Sequence, residues 1–114
     1  MISRINRFHG HGSLNYVYRN GKTVRGPLCS IRYTPNNRRE NYRLSIVVSK
    51  KVNKSAVVRN RIRRRLYESF RLKSEQFNGV YDIVVTVFND QLATIDTEDI
   101  KKLVHTQLKQ AKII

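Results

Sequence analysis

Hydrophobic positions along this chain follow two different periods, and the switches between them mark out its elements. In "LNYVYRN", residues 14–20, Leu14, Val17 and Tyr18 fall at i, i+3 and i+4, which predicts a short helix with one apolar face. Ser13 is placed to cap that helix and Gly21 to end it. "LCSIRYT" (28–34) alternates instead, with Cys29, Ile31 and Tyr33 to one side and Ser30, Arg32 and Thr34 to the other, the mark of a half-buried strand. "YRLSIVVS" (42–49) alternates again, setting Leu44, Ile46 and Val48 inward against Arg43, Ser45, Val47 and Ser49. The intervening "PNNRREN" (35–41) is a turn rich in Pro and Asn, so the two strands are expected to pair as an antiparallel hairpin. A short extra strand fits within 22–28.

From Ser55 the period returns to helical. Val58, Ile62, Leu66 and Phe70 form an i, i+4 ladder, and the helix they predict is capped by Ser55 and runs to about Lys73. "NG" at 78–79 turns the chain into "YDIVVTVF" (81–88), whose apolar run suits a central, well-buried strand. A last helix, capped by Asp96 or Thr97, carries Ile100, Leu103, Val104 and Leu108 on one face. The order is α, β, β, α, β, α, with room for the extra strand. Strand, helix and strand in succession (42–49, 58–73, 81–88) imply one parallel pairing. The expected class is α+β, a small two-layer α/β sandwich built on one mixed sheet.

Composition narrows the reading. At 114 residues the chain is one domain (1–114), with 1–12 expected to be a basic, flexible arm. A hydrophobic fraction of 39% supports a folded core. There is no apolar run long enough to span a membrane and no apolar region in "MISRINRFHGHGS" of the kind a secretory signal needs. One cysteine, Cys29, cannot form an internal disulfide. A cytoplasmic protein is expected. Charge changes the picture most: 23 Lys and Arg against eight Asp and Glu give a net +15. Self-repulsion on that scale points to a polyanionic partner, with nucleic acid first and an anionic membrane surface second.

The charge is concentrated on the long helix, where five arginines occupy seven positions from Arg59 to Arg65. Like charges one turn apart repel, and they sit badly near the positive end of the helix dipole. On a helical wheel Asn60, Arg64, Tyr67 and Arg71 lie opposite the apolar ladder, with Arg61 beside them. Arg59 is aimed near the apolar side, so either the helix starts late or Arg59 reaches across into the groove beside the sheet. A helix start is already an anion site, and Lys50, Lys51, Lys54, Arg59 and Arg61 surround this one. Guanidiniums match phosphate by donating two parallel hydrogen bonds. The alternative is a solvated basic face with no ligand.

The same stretch carries a family resemblance. "SKKVNKSAVVRNRIRRRLYESFR" resembles the signature segment of the bacterial ribonuclease P protein subunit, through Ser49, Lys50, Lys51, Lys54, Ala56, Val57, Arg59, Asn60, Arg61, Arg64 and Arg65. "VYRNGKTVRG" (17–26) and "YDIVV" (81–85) extend the likeness over about 14–110. The resemblance implies a ribosomal protein S5 domain 2-like fold with a left-handed βαβ crossover, against the usual handedness. It also implies a non-catalytic protein partner of the ribonuclease P catalytic RNA, in an endonuclease that removes the 5′ leader of precursor tRNA. It gives an RNA-contacting set of Lys50, Lys51, Lys54, Arg59, Asn60, Arg61, Arg64 and Arg65. A leader cleft follows between the first helix and the outward sheet face, for which Leu14, Tyr18, Arg32, Arg43, Ser45 and Ser49 are the candidates. The family usually has two Phe in the first helix, four residues apart; here those positions are Leu14 and Tyr18, so only one can stack on a base.

Mg²⁺ is expected on RNA and substrate phosphates rather than on protein, because Asp82, Asp90, Asp96, Glu98 and Asp99 are scattered over a strand, a turn and a helix start. No catalytic residue, protein-held metal, membrane or small-molecule substrate is expected. His9, His11 and His105 read as polar loop or surface residues, Cys29 as a small core residue, and Tyr33 as core. Two other classes remain open from the residues alone: a ribosomal or other structured-RNA-binding protein with no processing role, and a protein-only nuclease.

Overall fold

The computed structural model describes residue 6 and residues 11–114. Seven main elements follow in order: α1 (His11–Asn20), β1 (Lys22–Arg25), β2 (Cys29–Pro35), β3 (Arg43–Val47), α2 (Ala56–Lys73), β4 (Tyr81–Val87) and α3 (Thr97–Gln110). Short 3-10 turns at Ser74–Gln76 and Asp90–Ala93 lead out of α2 and into α3. The extra strand within 22–28 is β1. α1 starts earlier than its apolar spacing suggests, so Ser13 lies inside the helix and not at its cap, and residues 11–12 belong to α1 and not to an arm. The other residues of the expected arm, His9 among them, lie outside the described set apart from Asn6. Gly21 ends α1 by donating its N–H to Val17 O at 2.8 Å, so close that a Cβ there would meet the same oxygen at 2.5 Å.

The four strands form one mixed sheet in the order β1-β2-β4-β3. β1 and β2 are antiparallel, β2 and β4 are antiparallel, and β3 and β4 are parallel. The parallel pairing expected across the long helix is therefore present. The hairpin expected between 28–34 and 42–49 is not: β4 enters between them. The reason is burial, since Val84 is as buried as Ile83, Val85 and Val87. A strand apolar on both faces belongs at the centre of a sheet.

The inner face holds the core. Val24, Ile31, Val85 and Ile46 are successive partners across all four strands, and this row packs with Leu44, Ile62, Leu66, Phe70, Ile100, Val104 and Leu108 from β3, α2 and α3. Cys29 is fully buried there. Its thiol donates to Gln107 Oε1 at 3.4 Å, and Gln107 Nε2 donates to Cys29 O at 2.8 Å. Gly26 leaves the room for this clasp, because a Cβ would sit 2.5 Å from Gln107 Nε2. Tyr33 is half-buried, edge-on to Tyr81. The free edge of β3 is covered from α2: the Tyr67 hydroxyl accepts from Ile46 N at 3.3 Å, and Arg63 Nη2 donates to Val48 O at 3.2 Å. Tyr67 thus leans onto the sheet edge instead of joining the polar stripe that the wheel assigned it. No helix among the described residues is long and apolar enough to cross a membrane.

Candidate nucleic-acid interface

The sorting of the α2 arginines begins at the helix cap. Ser55 Oγ accepts from Val58 N at 3.4 Å, satisfying one of the amides that a helix start leaves open. Asn53 Oδ1 accepts from Ser55 N at 2.8 Å, while Asn53 Nδ2 donates to Asp90 at 3.1 Å. This pins the 50–55 loop to the turn before α3. Arg59 resolves its odd wheel position by folding back under the first turn. Its Nη1 donates to the carbonyls of Asn53 and Lys54 at 3.0 and 2.8 Å. Neither a late helix start nor a reach into the sheet groove is needed.

Arg65 is on the flank facing α3 and donates to Leu92 O at 2.8 Å and to Ile95 O. It joins α2 to the 90–95 turn, so its fork is engaged with protein. Arg63 holds the β3 border and also donates to Asn60 Oδ1 at 2.7 Å. What remains is a compact set. Lys50, Lys51, Lys54, Arg61 and Arg64 are all exposed, and none has a side-chain hydrogen bond or ion pair among the described residues. Asn60 stands exposed beside them. Six of the eight residues in the expected RNA-contacting set therefore share one open surface around the α2 start. Arg59 and Arg65 support its shape from beneath.

The outer sheet face is organised in cross-strand rows. Thr23, Arg32, Val84 and Ser45 make the middle row, Arg25, Ser30, Thr86 and Val47 a row on one side, and Thr34, Asp82 and Arg43 a row on the other. α1 crosses the middle row. Val17 packs on Val84, with Leu14 and Val47 half-buried against them, and Arg32 Nε donates to Val17 O at 3.1 Å while its Nη1 reaches Thr23 Oγ1 at 3.1 Å. The helix so divides the face into two grooves.

One groove runs along Arg25, Ser30, Thr86 and Val47. Leu14 borders it, and Tyr18 follows on the same flank one turn later, 41% exposed. Ser49 continues the outward alternation of β3 toward Lys50 and Lys51. The second groove is a cleft of about 660 Å³ lined by Tyr16, Asn36, Arg38, Arg39, Arg43 and Asp82. Tyr16 faces it because two residues turn the helix about 200°. There Arg43 grips the buried Asp82 through both carboxylate oxygens, at 2.8 and 2.7 Å, and Asn36 Nδ2 donates to Asp82 at 2.9 Å. The Asp82 hydrogen bond, more than the charge itself, raises the Arg43 pKa above its ordinary value.

The expected leader-cleft set is thus split. Leu14, Tyr18 and Ser49 border the groove that opens toward the basic loop. Ser45 and Arg32 lie in the row that α1 crosses, and Arg43 faces the far cleft. Arg32 and Arg43 lie on the outward sheet face, as their alternation predicts, with guanidiniums that engage Val17 O, Thr23 and Asp82. Thr86 and Arg25, which the sequence reading did not single out, line the groove instead; their signal was the strand alternation, usable only once the strand order is known.

Other candidates are quiet. Among the described residues no three His, Cys, Asp or Glu side chains group closely enough to hold a metal ion. His105 is half-buried, with Nδ1 3.1 Å from Lys73 Nζ. Burial drives the Cys29 thiol up to about 12, against the smaller opposing effect of Gln107, so the thiol is protonated at neutral pH and unreactive.

Known proteins share this arrangement. The Ribonuclease P family profile matches residues 2–112. The chain is 40% identical over 97 residues to the ribonuclease P protein component of Caldanaerobacter subterraneus subsp. tengcongensis, covering 85% of this chain and 81% of that protein. It is 37% identical over 109 residues to the ribonuclease P protein component of Clostridium botulinum, covering 95% and 96%. The solved RNase P protein of Staphylococcus aureus has a TM-score of 0.83 at 27% identity, covering 95% of this chain and 96% of that one. The Thermotoga maritima RNase P protein, at 23% identity and a TM-score of 0.75, shares the fold. By its matched sequence and its architecture, this chain belongs to the ribonuclease P protein family.

Proposed function

We propose that the chain is the RNA-binding subunit of a ribonuclease P holoenzyme, gripping the catalytic RNA with the surface around the α2 start and receiving the 5′ leader of precursor tRNA in the groove beside Tyr18. The observation that carries this reading is the sorting of the cations. Arg59 and Arg65 are engaged by backbone carbonyls and Arg63 by Val48 O and Asn60 Oδ1, while Lys50, Lys51, Lys54, Arg61 and Arg64 stand exposed and without side-chain partners among the described residues. A surface of that kind displaces counterions from an RNA backbone, and the affinity it gives falls steeply with salt.

Recognition of folded RNA rests on shape and on unstacked single strands more than on base edges in a helix. The groove offers both kinds of contact: hydroxyls of Ser30, Thr86 and Ser49 for backbone, and Tyr18 for a base. Holding leader and catalytic RNA on adjoining surfaces of one rigid domain aligns the scissile phosphate with the RNA's reactive centre, an effect of positioning. Asp82 is engaged by Arg43 and Asn36, and Asp90 by Asn53, so neither stands open to a metal ion. The hard ion is assigned to RNA and phosphate oxygens, and the endonucleolytic step is not routed through protein side chains.

A cleavage assay tests the proposal. Precursor tRNA and cognate catalytic RNA at low Mg²⁺ should be processed faster with this chain than without it. Cleavage by the chain alone, or no response of the RNA-catalysed rate, would overturn it.

A further inference from the structure

Beyond β4, the alternation of inward and outward residues continues for one more position. Phe88 N donates to Leu28 O at 2.8 Å, extending the β2–β4 ladder past the Cys29–Val87 pair. Val87 faces the core, so Phe88 faces outward, and it is 42% exposed. Arg25 confirms the side. It shares its row with Ser30, Thr86 and Val47, and its Cζ lies 5.1 Å from the Phe88 ring centroid. An exposed phenyl ring with a guanidinium against it therefore stands on the border of the groove opposite Tyr18, on the side of the sheet away from the core.

We propose that Phe88, backed by Arg25, is a second base-stacking platform in this groove, and that it takes an unstacked nucleobase of single-stranded RNA. The proposal rests on the reading of the groove as a leader site and adds a recognition residue to it. The chemistry is that of single-strand binding, where aromatic rings stack bases of any identity and cations follow the backbone. The Arg25 contact restrains the ring, leaving the remaining ring surface open. Arg25 also supplies a positive charge for an adjacent phosphate. The α1 position four residues before Tyr18 is Leu14, which offers apolar contact but no π-face, so Phe88 gives the groove its second ring from the opposite border.

The test uses the full chain assembled with its catalytic RNA. The ratio of dissociation constants for leaderless and leader-bearing tRNA is measured for the wild type and for Phe88→Ala, Phe88→Leu and Phe88→Tyr. Phe88→Ala and Phe88→Leu should each reduce the leader's advantage by about tenfold, Phe88→Tyr should keep it, and affinity for leaderless tRNA should not move. The sequence contains no tryptophan, so Phe88→Trp adds a direct reading: its fluorescence should be quenched by a single-stranded hexanucleotide. A leader advantage that survives Phe88→Ala, a Phe88→Leu variant as good as the wild type, or an unquenched Trp signal would overturn this inference alone. A wild-type holoenzyme with no leader advantage would overturn it together with the functional reading beneath it.

Discussion

The two faces of the sheet differ in how they are closed. The inner face is sealed by α2 and α3 over a continuous apolar cluster. Among the described residues the outer face is crossed only by α1, seated on the small cluster of Val17 and Val84 with Leu14 and Val47 against it. Both faces come from the same four strands, so the difference lies in the alternate residues. The inward set is almost wholly aliphatic. The outward set is mainly hydroxyl and cationic around Val84, Val47 and Asp82, with one helix to frame it. The main core and the proposed leader groove thereby lie on opposite sides of a single layer, and substitutions can separate them.

The largest expected contrast lies in the packing. Phe70→Ala, in the sealed core, should cost about 3–5 kcal/mol in denaturant unfolding, enough to threaten folding of a small domain. Val17→Ala, on the open face, should cost about 1.5 kcal/mol at roughly 0.8 kcal/mol per methyl-sized group and speed amide exchange in α1 without loosening α2 or α3. Equal losses from both would mean that the two clusters act as one.

The next contrast is within α2. Arg65→Ala removes a charged donor from two carbonyls and should cost about 1.5–3 kcal/mol of stability. Arg61→Ala should leave unfolding unchanged while weakening catalytic-RNA binding and lowering its salt slope by about one. Reversed behaviour of the pair would reject the division between supporting and binding arginines.

A further effect, confined to alkaline pH, separates the buried thiol from the rest of the core. The Cys29 thiol has an ordinary value of 9.0 and is pushed up to about 12 in the fold, chiefly by burial. Above pH 9 the unfolded chain releases a proton that the native chain keeps. Stability should therefore fall as pH rises from about 9 toward 12, by up to about 1.4 kcal/mol per unit from this group. In Cys29→Ala that share of the slope should vanish from urea titrations, while the part due to Tyr33 and Tyr42, whose hydroxyls burial also raises, persists.

Much of this was legible in the chain. Period-2 alternation placed β2 and β3, the Val58–Phe70 ladder placed α2, and the arginine density marked the exposed basic surface around the start of α2. Strand order was less accessible. Neighbours in sequence are usually neighbours in a sheet, which favoured a hairpin between β2 and β3, while the apolar outward Val84 was the one sign that β4 needed partners on both edges. The roles of individual arginines were not accessible at all. Nothing near Arg65 in sequence announces the carbonyls of Leu92 and Ile95, and Tyr67 sits opposite the ladder on a wheel yet leans onto the border of β3. Side chains at the flanks of a helix are assigned by what lies beside it in space, and a wheel holds no such information.

That covered border has a consequence for handling the protein without RNA. Sheets grow into fibrils by recruiting strands along their margins. At one margin Tyr67 and Arg63 already occupy main-chain groups of Ile46 and Val48, so an incoming strand finds those positions taken. The opposite margin, Lys22–Arg25, is short and bears two cations, which repel a second copy of itself. Polymerisation of the RNA-free chain should begin, if it begins anywhere in the sheet, at those four residues, once salt has screened their charge.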